Sequence, residues 1–404
     1  MQQNQFSKES LEEALFFSKI SDSLLNLSEC NYKDTVDFIV KNECFKKDTF
    51  LQYIFLAINY RPKVIDLLTK LIFNIFDICK PDKNLYESIK KYLFTPIAEL
   101  SNEFITEKAP NQILFMRKCY DYGIFDFNEV YNFAKILRAA KREYRIQLSY
   151  IYIYFIYEFE QKDHQFSLNL CIFTENKMKH YIISEYFQSI LKKKSIYANN
   201  SQIFQECIKY GYPLNTIEGA IVTDNIDAVQ EFINQESFDI NQKIKPSLYD
   251  TNSLKYDEAT LIQLAALHGS ENSFKYLYLN GGEINNKKYT KWSTSQFAVA
   301  GGNLEIIHFL EQNDINFDNT LFIAALFHHH HIFDWLCKNM NQKLQYCNDN
   351  KNVIFDCVKA NNMIDFLKCI DMGCDINICI KGVFIFYLVI HHLLKQYCII
   401  ILIF

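Results

Sequence analysis

The stretch Thr260–Asn285, TLIQLAALHGSENSFKYLYLNGGEIN, has a counterpart 33 residues on, Ser293–Asp318, STSQFAVAGGNLEIIHFLEQNDINFD. Ala265 aligns with Ala298, Gly269 with Gly302 and Leu277 with Leu310, so slots of different chemistry keep one phase. A fixed period of this length marks a repeat architecture, and the rest of the chain is read outward from it. Ala220 with Phe232 has the internal spacing of Ala265 with Leu277. Ala324 with Leu336 has it again, and Cys357 with Cys369 more weakly. The intervals along the small-residue slot are 45, 33, 26 and 33, one unit lengthened by 12 and one shortened by 7. Gly281 and Asn285 return as Gly373 and Asn377.

Each unit is expected to be two short antiparallel helices. The Ala265–Ala266 pair lets the first helix lie close to its neighbour. Gly269 sits at the break between helices, where a left-handed residue is useful. Phe274 and Leu277 face the core, and Gly281 ends the second helix. One such unit cannot bury its apolar face alone, so neighbours must stack.

This pattern resembles the ankyrin repeat, which runs T-P-L-H-x-A-A, a glycine, an apolar helix and G-A-D-x-N. Thr260, Ile262, Gln263, Ala265, Ala266, Gly269, Leu277, Gly281, Glu283 and Asn285 stand at the matching positions. Leu261 replaces the proline, Gln263 the histidine and Gly282 the alanine, which loosens the cap while keeping the spacing. The resemblance covers about 201–380, and Ile208–Ile233 looks like the opening repeat of a divergent ankyrin family expanded in single-celled parasites. It implies an all-α helical solenoid with a concave face built from hairpin tips and first helices. On that face the candidate binding residues are Leu267, His268, Lys287, Tyr289, Trp292, Phe327 and His328. A protein partner is implied. The 12-residue expansion before Thr260 is polar and is expected to form an elongated finger or a loop.

Residues 1–200 read as helices and little more. Leu11, Leu15, Phe16 and Ile20 have helical spacing, Ser10 with Glu13 fits a capping box, and Pro62 and Pro96 suit first turns, Thr95 capping the latter. The run YIYIYFIYEF before Gln161 reads as a buried helix rather than a strand. Cys119-x-x-Tyr-Gly123 returns as Cys207-x-x-Tyr-Gly211, two helix stops that extend helix pairing upstream. His164 and His180 are isolated and read as surface histidines.

With 10 Gly and 6 Pro in 404 residues, a turn-rich all-β protein, a collagen and a linker array are excluded. Of the ten glycines only Gly123 precedes position 211. A net charge of −5 speaks against a general nucleic-acid surface. Thirteen cysteines behind an N-terminus without a basic leader suggest reduced thiols in the cytoplasm, or alternatively the nucleus. The common phosphate-loop, dinucleotide, esterase and metalloprotease signatures do not occur, so no enzyme, catalytic residue or cofactor is expected.

His328–His331 is read as a solvated turn, since consecutive residues point different ways and rarely converge on one metal ion. Cys357, Cys369, Cys374 and Cys379 lack metal-ligand spacing, so no metal site is expected. After Lys381 the repeat phase is lost in GVFIFYLVIHHLLKQYCIIILIF, and the tail 381–404 reads as an apolar cap, a membrane anchor or an out-of-frame segment. The leading functional expectation is a protein-interaction scaffold. The alternatives are an enzyme or regulator housed in 1–200 with the repeats as targeting module, and a membrane-tethered adaptor.

Overall fold

Apolar residues at three- and four-residue spacing give helices along almost the whole described chain. The computed structural model describes residues 8–46, 48–79, 83–96, 105–140, 144–178, 202–245, 247–251, 259–284, 292–339, 353–360, 362–374, 379–380 and 383–384. Among the described residues the regular structure is helical apart from one short ribbon. The chain divides into two compact units, Met1–Arg61 with Thr294–Phe404, and Pro62–Ser293.

The first unit opens with α1 (Lys8–Leu25), α2 (Tyr32–Lys41) and α3 (Asp48–Tyr60), in which α1 packs on α2 and α3. The second unit contains α4 (Ile65–Cys79), α5 (Lys83–Leu93), α6 (Ile105–Asp121), α7 (Phe127–Ala139), α8 (Arg145–Tyr154), α9 (Ile156–Lys162) and α10 (His164–Met178). The tyrosine-rich run is helical as expected, with a break at Phe155 between α8 and α9. Arg117 on α6 anchors this part. Its guanidinium lies 2.7 Å from Glu158 and 3.0 Å from Asp121, donates to the Tyr154 carbonyl, and is enclosed by the rings of Tyr120, Phe155 and Phe204. Burial raises the Glu158 carboxyl above its ordinary value, against the pull of Arg117. The second unit ends with α11 (Gln202–Tyr210), α12 (Ile217–Val222), α13 (Ile226–Ile233), α14 (Leu261–His268) and α15 (Glu271–Leu279), α12 lying on α14 and α13 on α15. The first unit resumes with α16 (Thr294–Gly301), α17 (Leu304–Gln312), α18 (Leu321–Leu326), α19 (His330–Asn339), α20 (Val353–Lys359) and α21 (Met363–Asp371). Here α18 packs between α16 and α20, and α19 against α21. Strands β1 (Cys379–Ile380) and β2 (Val383–Phe384) pair antiparallel.

The five helix pairs from α12 to α21 fall where the spacing predicts. Ala220, Ala265, Ala298, Ala324 and Cys357 are all buried at the centres of the first helices. Val229, Phe274, Ile307, Phe333 and Phe366, nine residues further on, are buried on the second. Four residues after the small slot the backbone is left-handed at Asp224 (φ 50°), Gly269 (65°), Gly302 (76°) and His328 (54°). Asn225, Asn303 and Asn362 follow, each accepting a backbone N–H as the N-cap of the second helix. Sixteen residues after the slot, Gly281, Asp314 and Gly373 are again left-handed. There Gly282, Ile315 and Cys374 donate back to the carbonyls of Leu277, Leu310 and Cys369, closing each second helix.

Side chains at left-handed positions need compensation of about 1–2 kcal/mol. Asp224 finds it by accepting from the backbone N–H groups of Asn272 and Ser273 and from both their side chains, which caps α15 of the next pair. Gln263 keeps its cap tight rather than loose, because its carbonyl oxygen accepts the Thr260 N–H at 3.1 Å.

Local expectations meet the structure in different ways. The described part of the expansion is irregular loop, one of the two forms expected; within it Leu248 and Tyr249 are buried, and the Tyr249 ring packs on Tyr154 and Phe204. Thr95 donates back to the Lys91 carbonyl at the end of α5, and the helix expected after Pro96 lies outside the described residues. Ser10 lies inside α1, which already runs from Lys8. Pro62 does open the turn of 3-10 helix, Pro62–Val64, that leads into α4. His164 is a surface histidine paired with Glu160 at 2.6 Å, whereas His180 and the tail from 385 on lie outside the described residues.

Gly302 and Gly123 separate two costs. A Cβ at Gly123 meets nothing within 4 Å, but one at Gly302 falls 2.1 Å from the His329 ring. Gly123→Ala is expected to cost about 1 kcal/mol of left-handed strain. Gly302→Ala should cost about 2 kcal/mol more, because the ring must give up two hydrogen bonds. Denaturant titration of both variants checks this, and equal losses contradict the packing described.

Candidate functional site

The residues expected on an open face are largely covered. In the second unit every residue of α14 is buried, Leu267 and His268 included. The His268 imidazole faces Asp250 at 3.8 Å, too far for a hydrogen bond, and the Lys63 ammonium donates to the His268 carbonyl. Burial lowers the His268 pKa, partly offset by Asp250. In the first unit Phe327 and His328 are each 5% exposed. Four of the seven expected surface residues are therefore corrected to buried ones. Trp292 is half-buried, and Lys287 and Tyr289 lie outside the described residues.

The histidine run is likewise not a solvated turn, except at the exposed His331. The repeat phase puts His328 in the left-handed break, and there its ring is covered by Tyr60 from the end of α3, with ring centroids 5.5 Å apart. Its Nε2 lies 2.9 Å from the Ala360 carbonyl. His329 takes the cap position, stacks on Phe327, and uses both nitrogens: Nε2 donates to the Ala300 carbonyl at 3.0 Å and Nδ1 accepts from Arg61 at 3.2 Å. That pairing requires the neutral Nε2–H tautomer. His330 begins α19 with its ring between Asp365, 3.0 Å away, and Asp22, 3.4 Å away. The Asp365 carboxylate, fully buried, also accepts from Asn362 at 2.7 Å and meets Lys368 at 3.4 Å.

The three imidazoles are consequently in different states. Burial pulls His328 down to about 3, with His330 and Arg61 adding to the effect. Burial, then Arg61, hold His329 well below its ordinary value. Burial also works against charge on His330, but the carboxylates of Asp22 and Asp365 outweigh it and raise its pKa to about 9. The contacts of His330 meet the distance but not the angular requirement of a hydrogen bond, so charge attraction holds them. At neutral pH the run is two neutral rings followed by one cation. Arg61 stays a cation too, although burial brings it down to about 10.

Nothing in this arrangement supplies a nucleophile beside a base. Among the described residues no group of three or more His, Cys, Asp or Glu is placed to hold a metal ion. Cys357, Cys369 and Cys374 are buried with linked thiols. Burial raises the first, a hydrogen bond with Cys357 raises Cys369, and one with Cys369 raises Cys374. They fill small slots of the repeat.

Sequence reasoning missed Asp22, Tyr60, Arg61 and Asp365. The first three lie more than 260 residues from their partners, beyond any periodic signal. Asp365 carried a readable sign, since the same slot holds Ala228, Ser273, Ile306 and Ile332 in the other pairs. No protein-family model matches the chain, and no curated protein matches it.

Titration should show these states as stability. His330 binds its proton more tightly in the folded chain than in the unfolded one, whose histidines titrate near about 6.5. Its contribution is complete below that value and is lost as pH rises toward about 9. His328 and His329 bind protons more weakly when folded, so their penalty grows as pH falls below about 6.5. The melting temperature is expected to peak near neutrality. His330→Gln should lower it at pH 7 by the equivalent of about 3 kcal/mol, the loss of one partner of a buried pair. The same variant should flatten the fall between pH 7 and 9, and an unchanged profile would count against the ion pair.

Proposed function

We propose that the chain is a protein-interaction module of the ankyrin type, a scaffold that holds a protein partner rather than an enzyme. The observation that carries this reading is the left-handed break recurring at Asp224, Gly269, Gly302 and His328, always four residues after a buried small residue. Chains built this way present extended surfaces, and such surfaces serve binding. With Leu267, His268, Phe327 and His328 buried, the expected anchor that keeps partial exposure is Trp292. Lys287 and Tyr289 adjoin it in sequence, and large aromatics dominate interface energetics.

Residence in the cytoplasm or nucleus belongs to the same proposal, supported by the odd cysteine count and by buried thiols such as Cys44, Cys119 and Cys207. Among the described residues no helix is long and apolar enough to cross a membrane. Membrane tethering would rest on 382–404, of which the structure describes only 383–384.

The test uses the full chain as bait in an extract of its own cells. A partner should be retained saturably. Trp292→Ala and Tyr289→Ala should each weaken retention about tenfold or more, with the melting temperature little changed. Retention of no saturable partner, or equal retention by the variants, would count against this surface.

A further inference from the structure

We propose that residues 8–61 are a built-in ligand for the break between α18 and α19 and the start of α19. Tyr60–Arg61 at the end of α3 is the recognised element. The partner taken at this face would be a protein that presents an aromatic residue followed by arginine at a helix C-terminus. The inference rests on the interaction-module reading and adds what one part of the surface recognises.

The position is the first argument. Phe327 and His328 stand at the end of a first helix and in the inter-helix break, the part of the unit expected to meet ligands, and they are buried under the chain's own α3. The chemistry is the second. The Tyr60 ring meets Phe327 edge-on at 6.5 Å and lies 5.5 Å from His328, while the Arg61 guanidinium donates to His329 Nδ1. His329 is oriented for this, because its Nε2–H is committed to the Ala300 carbonyl and only Nδ1 is left to accept. Gly302 makes room for the ring where a side chain would displace it. The face is thus shaped for a ring and a guanidinium held side by side.

The third argument is that the seated segment is exchangeable. Its helices pack on one another, with Phe17 and Tyr53 ring to ring at 6.4 Å and Ile20, Leu24, Phe50 and Ile54 buried. Arg61 has no carboxylate partner among the described residues; it gives up hydration for one bond to a neutral imidazole and one to the Tyr60 carbonyl. A second tether, Asp22 to His330, has its carboxylate partly exposed. A competing helix end that supplies the same two groups meets a replaceable occupant.

A labelled peptide of residues 48–61 is the probe, titrated against the full chain. Arg61→Glu, which weakens the seated end, should bind it at least tenfold more tightly than the unaltered chain. A peptide carrying Tyr60→Ala and Arg61→Ala should not bind. Equal binding by the two chains overturns the proposal, as does no binding by a folded Arg61→Glu. Native-state hydrogen exchange on the unaltered chain keeps the test open if that variant fails to fold. Amides of Phe50–Tyr60 should open together at lower denaturant than those of Ile306–Leu310 and Ile332–Leu336, whereas one shared opening overturns the proposal. A cellular partner captured without any peptide binding would defeat this inference and leave the interaction module standing. Peptide binding without a cellular partner would do the reverse.

Discussion

Four of the five helix pairs from α12 to α21 depend on a reversal of the chain through one left-handed residue placed four positions after a small, buried one. The small residue lets neighbouring first helices approach, and the left-handed residue turns the chain before the first helix can extend past its neighbour. Glycine does this without strain, and two of the four such turns use it. The other two carry Asp224 and His328, and in both the side chain recovers the cost through contacts to an adjacent pair. A turn that must be left-handed thereby becomes a place where polar side chains reach between pairs.

That constraint explains the histidine run. Because His328 occupies the turn, the residues after it are delivered to the cap and first turn of α19, where their rings diverge into three environments. One is covered by an aromatic ring, one is fixed between a carbonyl and a guanidinium, and one lies between two carboxylates. Identical side chains in sequence therefore differ in charge at one pH. Tyr60 meets this run through its ring, and Arg61 and Asp22 through their charged groups, so the N-terminal helices of the first unit are tied to it.

The periodic part of the fold was legible because its signals are local. Ala265, Gly269, Leu277 and Gly281 each answer to a backbone or packing need within their own pair, and the structure places all four as their spacing demands. Helix type was equally legible in the tyrosine-rich run. Exposure was not legible. Phe327 is covered by Tyr60, a residue 267 positions earlier that shares no period with it, and nothing in the repeat around Phe327 records that contact. The same limit applies to Leu248 and Tyr249, which lie in a polar stretch yet anchor it through Tyr154 and Phe204. Burial of an irregular loop is decided by what it meets, and composition does not record that.

The protonation of the histidine run bears most directly on this account. Ring-nitrogen chemical shifts of the full chain at pH 7.5, assigned through single His→Gln variants, report each imidazole separately. The predicted result is a doubly protonated His330 beside His328 and His329 held as neutral Nε2–H rings. Four imidazoles titrating together near about 6.5, as a solvated run would, contradict it.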